Sequence, residues 1–75
     1  MYVVHGKEDC KYCCDAKNYL EELGVPFKYI PITDNLKTYL DTMAEFTDNY
    51  RSIPLIFHNG VFIGGFNELL KYTEI

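Results

Sequence analysis

The chain has 75 residues, 48% of them apolar and 24% charged, with 11 acidic against 7 basic side chains and a net charge of −4. That length suits one domain near the lower limit for a core without staples, and the acidic balance argues against a nucleic-acid partner or an anionic membrane surface, which call for a basic face. No apolar run approaches the ~20 residues of a bilayer span, no N-terminal stretch reads as a secretory segment, and three cysteines cannot make a paired disulfide framework, which favours a reducing compartment, the cytoplasm.

Tyr2 to His5 predicts a short strand centred on the β-branched pair Val3-Val4. From Lys11 to Leu23 the apolar residues Ala16, Tyr19, Leu20 and Leu23 recur at helical spacing, with Asp15, Asn18, Glu21 and Glu22 opposite. Gly24 supplies the stop and Pro26 confirms it. Phe27 to Ile30 predicts a second strand, parallel to the first because a helix separates them in a right-handed crossover. Pro31 to Asn35 reads as a turn in which Thr33 or Asp34 caps the next helix. Leu36, Tyr39, Leu40, Met43 and Phe46 or Thr47 trace that second amphipathic helix, ending near Asp48-Asn49. Leu55 to Phe57 and Val61 to Ile63 flank His58-Asn59-Gly60, a strong short-range hairpin signal. After Gly64-Gly65, Asn67 is expected to cap a final helix, Glu68 to Tyr72, with Leu69 and Leu70 turned inward. The order β-α-β-α-β-β-α implies an α/β fold, a four-stranded mixed sheet flanked by helices. No linker or repeat interrupts it, so residues 1–75 read as one domain.

The chemistry concentrates in Lys7-Glu8-Asp9-Cys10-Lys11-Tyr12-Cys13-Cys14. A Cys-x-x-Cys pair leaving a strand and entering a helix is a thioredoxin-like redox signature. Unpaired N–H groups and the macrodipole at a helix N-terminus favour negative charge. A cysteine there becomes thiolate, the reactive form, more readily. Cys10 falls at that terminus, and Lys7 and Lys11 add positive potential. Cys13, one turn later, lies close enough to close a disulfide. A zinc site would need further ligands, and Cys14, His5 and His58 sit at no regular spacing for one. Both histidines read as strand-end residues, and the tyrosines other than Tyr12 as core or core edge. Asp41 and Glu45 look like an ordinary wet helix face.

Three blocks in order make the chain resemble a glutaredoxin. They are Lys7-x-x-Cys10-x-Tyr12-Cys13 with Ala16-Lys17, then Ser52-Ile53-Pro54-x-Ile56-Phe57, then Ile63-Gly64-Gly65-Phe66-Asn67-Glu68-Leu69. The similarity is greatest to the compact dithiol forms of bacteria and phages. It implies a thioredoxin-like fold and a glutathione-dependent thiol–disulfide oxidoreductase with Cys10 as nucleophile and Cys13 as resolving cysteine. Glutathione would be the co-substrate, with no metal. By the same resemblance Lys7 approaches a glutathione carboxylate and Tyr12 lies beside the tripeptide. Ile53, before a cis Pro54, pairs with its cysteinyl part, and Gly65, Phe66 and Asn67 hold the γ-glutamyl end. Arg51 reads equally as a cationic contact or a surface charge. Cys14 reads as a spare thiol, or as a side site for glutathionylation or dimer formation.

Two departures stand out. Lys11 occupies a position often held by proline, and Asn67 one where an acid is common. The resemblance further suggests a monomer that acts on disulfide-containing or glutathionylated proteins, ribonucleotide reductase among them. Its rivals are a thioredoxin-like donor reduced by a flavoprotein reductase, and an iron–sulfur carrier or sensor.

Overall fold

The computed structural model describes residues 1–74. Its elements run β1 (Tyr2–Gly6), α1 (Lys11–Leu23), β2 (Phe27–Pro31), α2 (Leu36–Thr47), β3 (Leu55–His58), β4 (Val61–Gly64) and α3 (Phe66–Thr73). The sheet order is β2-β1-β3-β4. β1 pairs parallel with β2, Val4 opposite Tyr29, and antiparallel with β3, Val4 opposite Ile56. β4 completes the hairpin through Asn59 and Gly60, both at positive φ (53° and 85°), as a two-residue turn matched to strand twist requires.

Because side chains alternate along a strand, Val4 and Ile56 face one way while Val3 and His5 face the other. On the first side Val4, Ala16, Leu20, Ile56 and Leu69 form the buried cluster, which draws α1 and α3 onto that face. Burying Val4, Leu20, Ile56 and Leu69 contributes about 1.5–3 kcal/mol each. On the second side Val3, His5 and Phe57 border an apolar cavity of about 340 Å³ with Met43 and Phe46 of α2. The molecule is thus helix pair, sheet, single helix, as the resemblance implies.

Three local expectations are corrected, and one pair left open by the sequence is resolved. α2 is capped by Asn35, not by Thr33 or Asp34: its Oδ1 accepts the Thr38 N–H at 3.2 Å. Thr47 rather than Phe46 turns inward, at 2% against 60% exposure. A threonine can occupy that buried position because its hydroxyl donates to the Met43 carbonyl. Gly65, not Asn67, is the N-cap of α3, so Asn67 lies within the first turn. Leu69 is buried while Leu70 and Leu23 remain exposed, since adjacent helical residues diverge by about 100° and a single stripe meets the sheet. Asn35→Ala is expected to cost about 1 kcal/mol, read as a melting temperature lower by roughly 4–8 °C.

Candidate active site

β1 ends at Gly6, and four residues later Cys10 opens α1 as its N-cap with extended backbone (φ −106°, ψ 118°). The N–H groups of a first helical turn have no partner within the helix. One of them, on Cys13, donates to Cys10 Sγ at 3.2 Å. A thiol therefore does what a serine hydroxyl does at an ordinary N-cap, accepting a first-turn N–H. Cys10 is half-buried, Cys13 fully buried and Cys14 exposed, all three as free thiols. Burial first, and then the hydrogen bond with Cys10, push the Cys13 thiol up to about 12, against a smaller opposing pull from the Lys7 backbone. Cys13 accordingly keeps its proton through the neutral range. One sulfur is reachable, the other is sealed and protonated.

The lysines flanking the motif part ways. Lys7 is half-buried and borders a cavity of about 450 Å³ with Glu8, Asp9, Pro31, Ile32 and Thr33. Lys11 is exposed, and its Nζ pairs with Asp15 at 2.9 Å, lying 5.5 Å from the Tyr12 ring centre. Its charge is turned along the helix rather than onto Cys10, because an i,i+4 carboxylate is the nearest partner on a helix surface.

Tyr12 is 56% exposed and stacks on Phe66 with ring centres 6.5 Å apart, which joins the thiol helix to α3. Beside them lies a polar pocket of about 170 Å³ lined by Tyr12, Tyr50, Ser52, Phe66, Asn67 and Glu68. The Ile53–Pro54 peptide is cis. Pro54 is buried, and its carbonyl lies beside Gly65, 3.6 Å from where a Cβ on Gly65 would stand, an ordinary contact distance. Of the residues singled out from the sequence, Tyr12, Phe66 and Asn67 thus share one pocket, with Pro54 and Gly65 adjoining each other, while Lys7 opens on a different cavity.

Sequence reasoning missed Tyr50 and Glu68. Glu68 Oε1 accepts the Gly65 N–H at 2.8 Å and the Tyr50 hydroxyl at 2.9 Å. These bonds, the backbone one first, hold its carboxyl below the usual range. An acid three residues into a helix, reaching back to the N-cap, is a recognisable pattern, and Gly65-x-x-Glu68 carries half of it.

The remaining candidates lie elsewhere. Arg51 is engaged by Asp41 and by Asn49 Oδ1, an exposed ion pair on α2. His5 bonds the Tyr39 hydroxyl, and His58 stacks on Tyr2 and meets the Tyr72 hydroxyl at 2.7 Å. The exposed Cys14 thiol donates weakly to the Glu8 carbonyl at 3.5 Å. Cys14→Ser is expected to leave disulfide reduction within about twofold of wild type, as surface changes away from a site generally do; a steady-state assay checks this. Among the described residues no group of three or more His, Cys, Asp or Glu is placed to hold a metal ion, and no helix is long and apolar enough to cross a membrane.

The glutaredoxin family model matches residues 2–63. The chain is 30% identical to the "Probable glutaredoxin" of Acanthamoeba polyphaga mimivirus, covering 99% of this chain and 78% of that one. It is 36% identical to the N-acetyl-S-hydroxy-L-cysteine reductase of Bacillus subtilis, over 97% of this chain and 71% of the relative. A crystal structure of a buckwheat glutaredoxin–glutathione complex superposes with a TM-score of 0.81 at 25% identity, over 93% of this chain and 64% of that one.

Proposed function

Because the chain belongs to the glutaredoxin family and is thus a thiol–disulfide oxidoreductase, we propose that it takes its electrons from glutathione, with Cys10 as nucleophile and Cys13 as resolving thiol. The asymmetry of the two sulfurs carries this reading. Cys10 is accessible and hydrogen-bonded by a backbone N–H, whereas Cys13 is buried and held protonated.

The Cys10 thiolate attacks a sulfur of the substrate disulfide, forming a mixed disulfide while the departing thiolate takes up a proton. With a glutathione mixed disulfide on Cys10, the thiolate of a second glutathione attacks the glutathione sulfur. Oxidised glutathione leaves and the Cys10 thiolate returns. With a protein substrate, Cys13 gives up its proton and attacks Cys10 Sγ, releasing the substrate thiolate and closing a Cys10–Cys13 disulfide. Two glutathione thiols then reduce that bridge.

Support for glutathione as the donor comes from the matches at Lys7, Tyr12, Ile53, Pro54, Gly65, Phe66 and Asn67, from the polar pocket between Tyr12 and Phe66, and from the fold shared with the buckwheat complex. The proposal places a monomer in the cytoplasm, where thiols are kept reduced. It takes glutathionylated proteins as substrates and ribonucleotide reductase as one protein disulfide to examine.

The test is reduction of a glutathionylated peptide with NADPH, glutathione reductase and glutathione. Sustained turnover is expected. Turnover only after a thioredoxin reductase replaces glutathione would overturn the glutathione assignment while leaving the oxidoreductase intact.

A further inference from the structure

We propose that the Tyr29 hydroxyl donates a hydrogen bond to the Cys13 sulfur as that thiol becomes the attacking thiolate, which makes Tyr29 a catalytic residue of the resolving step. This rests on the division of labour between Cys10 and Cys13 given above and adds a third residue to it.

The sheet sets the placement. Tyr29 on β2 stands opposite Val4 on β1, so the two side chains share one face, the face that carries α1. The Tyr29 side chain packs against the buried cluster there, and its hydroxyl reaches the space beside Gly6. A Cβ on Gly6 would stand 2.6 Å from Cys13 Sγ and 3.2 Å from the Tyr29 hydroxyl. The missing side chain therefore leaves one gap that sulfur and hydroxyl both border.

That hydroxyl is uncommitted. Tyr19 is bonded to Thr73, Tyr39 to His5, Tyr50 to Glu68 and Tyr72 to His58. Among the described residues Tyr29 has no such partner, and what it borders is the resolving thiol.

The chemistry calls for a donor at this spot. Cys13 must lose its proton before it can attack, and its burial holds that thiol near 12. A thiolate formed in so enclosed a place is costly unless something donates to it. Burial first, and then negative charge on Cys13, Cys14, Cys10 and Glu8, push the Tyr29 hydroxyl above its ordinary value. It therefore keeps its proton, and remains a donor, through the neutral range. Lys17 Nζ lies 4.8 Å from the Tyr29 ring centre, a cation over the π face that draws electron density from the ring and sharpens the O–H as a donor.

In the step itself the Cys13 proton passes to water. The sulfur's electron pair forms the Cys13–Cys10 bond, and the bond from Cys10 to the substrate sulfur breaks, its pair leaving on the substrate thiolate. Tyr29 keeps its own proton throughout. A hydrogen bond to a charged group enlarges the thiolate fraction by roughly ten- to a hundredfold, and about half of that, on a logarithmic scale, is returned as lost nucleophilicity. The net gain is about fivefold.

The experiment separates the two thiols in single turnover. Cys14→Ser protein, the parent here, is mixed with one equivalent of dithiobis-nitrobenzoate, whose released thiolate is coloured. Attack by Cys10 liberates the first coloured thiolate, and attack by Cys13 on Cys10 liberates the second. Adding Tyr29→Phe, which keeps the ring beneath Lys17, is expected to leave the first release unchanged and slow the second by about fivefold. Turnover of a glutathione mixed disulfide, which bypasses Cys13, should not change. A singly fluorinated tyrosine at position 29, a more acidic phenol of nearly the same shape, should speed the second release.

A second release at the parent rate in Tyr29→Phe overturns the proposal. So do two releases slowed alike, the mark of a purely structural role, or a fluorinated protein no faster than the parent. A second release that persists in Cys13→Ser overturns instead the assignment of Cys13 as resolving thiol.

Discussion

Cys10→Ser is expected to lower turnover on a glutathione mixed disulfide by about a thousandfold or more, the scale on which an enzyme loses its nucleophile. Cys13→Ser should stay within about tenfold of wild type on the same substrate. The difference stems from where the two sulfurs sit. Cys10 is the one a substrate can reach, and the Cys13 N–H aimed at it belongs to the backbone and survives either substitution. Cys13 is fully buried and held near 12, so it acts only after Cys10 has been converted to a mixed disulfide. On a protein disulfide the Cys13→Ser variant should therefore accumulate a covalent Cys10–substrate adduct, visible by mass spectrometry. Equal losses in the two variants would show that the thiols are not divided in this way.

The same asymmetry sets an alkaline limit on stability. Because the folded-state thiol of Cys13 is raised, the unfolded chain gives up that proton first. The stabilisation is fully present below the ordinary thiol range and is lost as pH rises from there towards about 12. Urea denaturation across that window, wild type against Cys13→Ala, isolates the effect. The wild type should lose stability with pH more steeply than the variant.

Much of this architecture is legible in the chain itself. Val3-Val4, the α1 stripe and Asn59-Gly60 each make a local preference that the tertiary fold also needs, and such agreement is what makes elements readable. The misreadings, and the one choice left open, occur where a local rule leaves two adjacent answers. Phe46 and Thr47 are one residue apart, and only the packing of α2 over the sheet decides which turns in. Asn67 looks like a cap by type, yet the helix begins earlier because Glu68 reaches back to the Gly65 N–H. Lys11 is near Cys10 in sequence, but its nearest carboxylate lies one turn up the helix. Tyr50 enters the site through a contact across 18 positions, and no local pattern announces that. The glutathione-facing matches depended on three separated blocks read together rather than on any one of them.

Gly6 lies one residue past the strand that the sequence predicts, Tyr2 to His5, and it carries the second large effect. Gly6→Ala is expected to cost about 1–3 kcal/mol, the usual penalty for forcing atoms into a packed site. A Cβ built there would lie 2.6 Å from Cys13 Sγ, 2.9 Å from Cys13 Cβ and 3.2 Å from the Tyr29 hydroxyl. Neither Cys13 atom can easily retreat, because the residue is fixed in the first turn of α1 by its N–H bond to Cys10. The missing side chain on β1 is thus what lets the resolving sulfur sit buried behind its partner. In Gly6→Ala the thiol is driven outward, its burial falls, and its proton is released at lower pH. Iodoacetamide at neutral pH, which should leave Cys13 unlabelled in the native protein, is expected to label it in the variant, with a melting temperature lower by about 4–8 °C for each kcal/mol lost. Replacing Cys13 by alanine in the same chain removes the closest clashing atom, so Gly6→Ala should cost less in that background than alone, a non-additivity expected of side chains in contact. If instead the two substitutions add, and Cys13 stays unlabelled in Gly6→Ala, then Gly6 is not what seats the thiol.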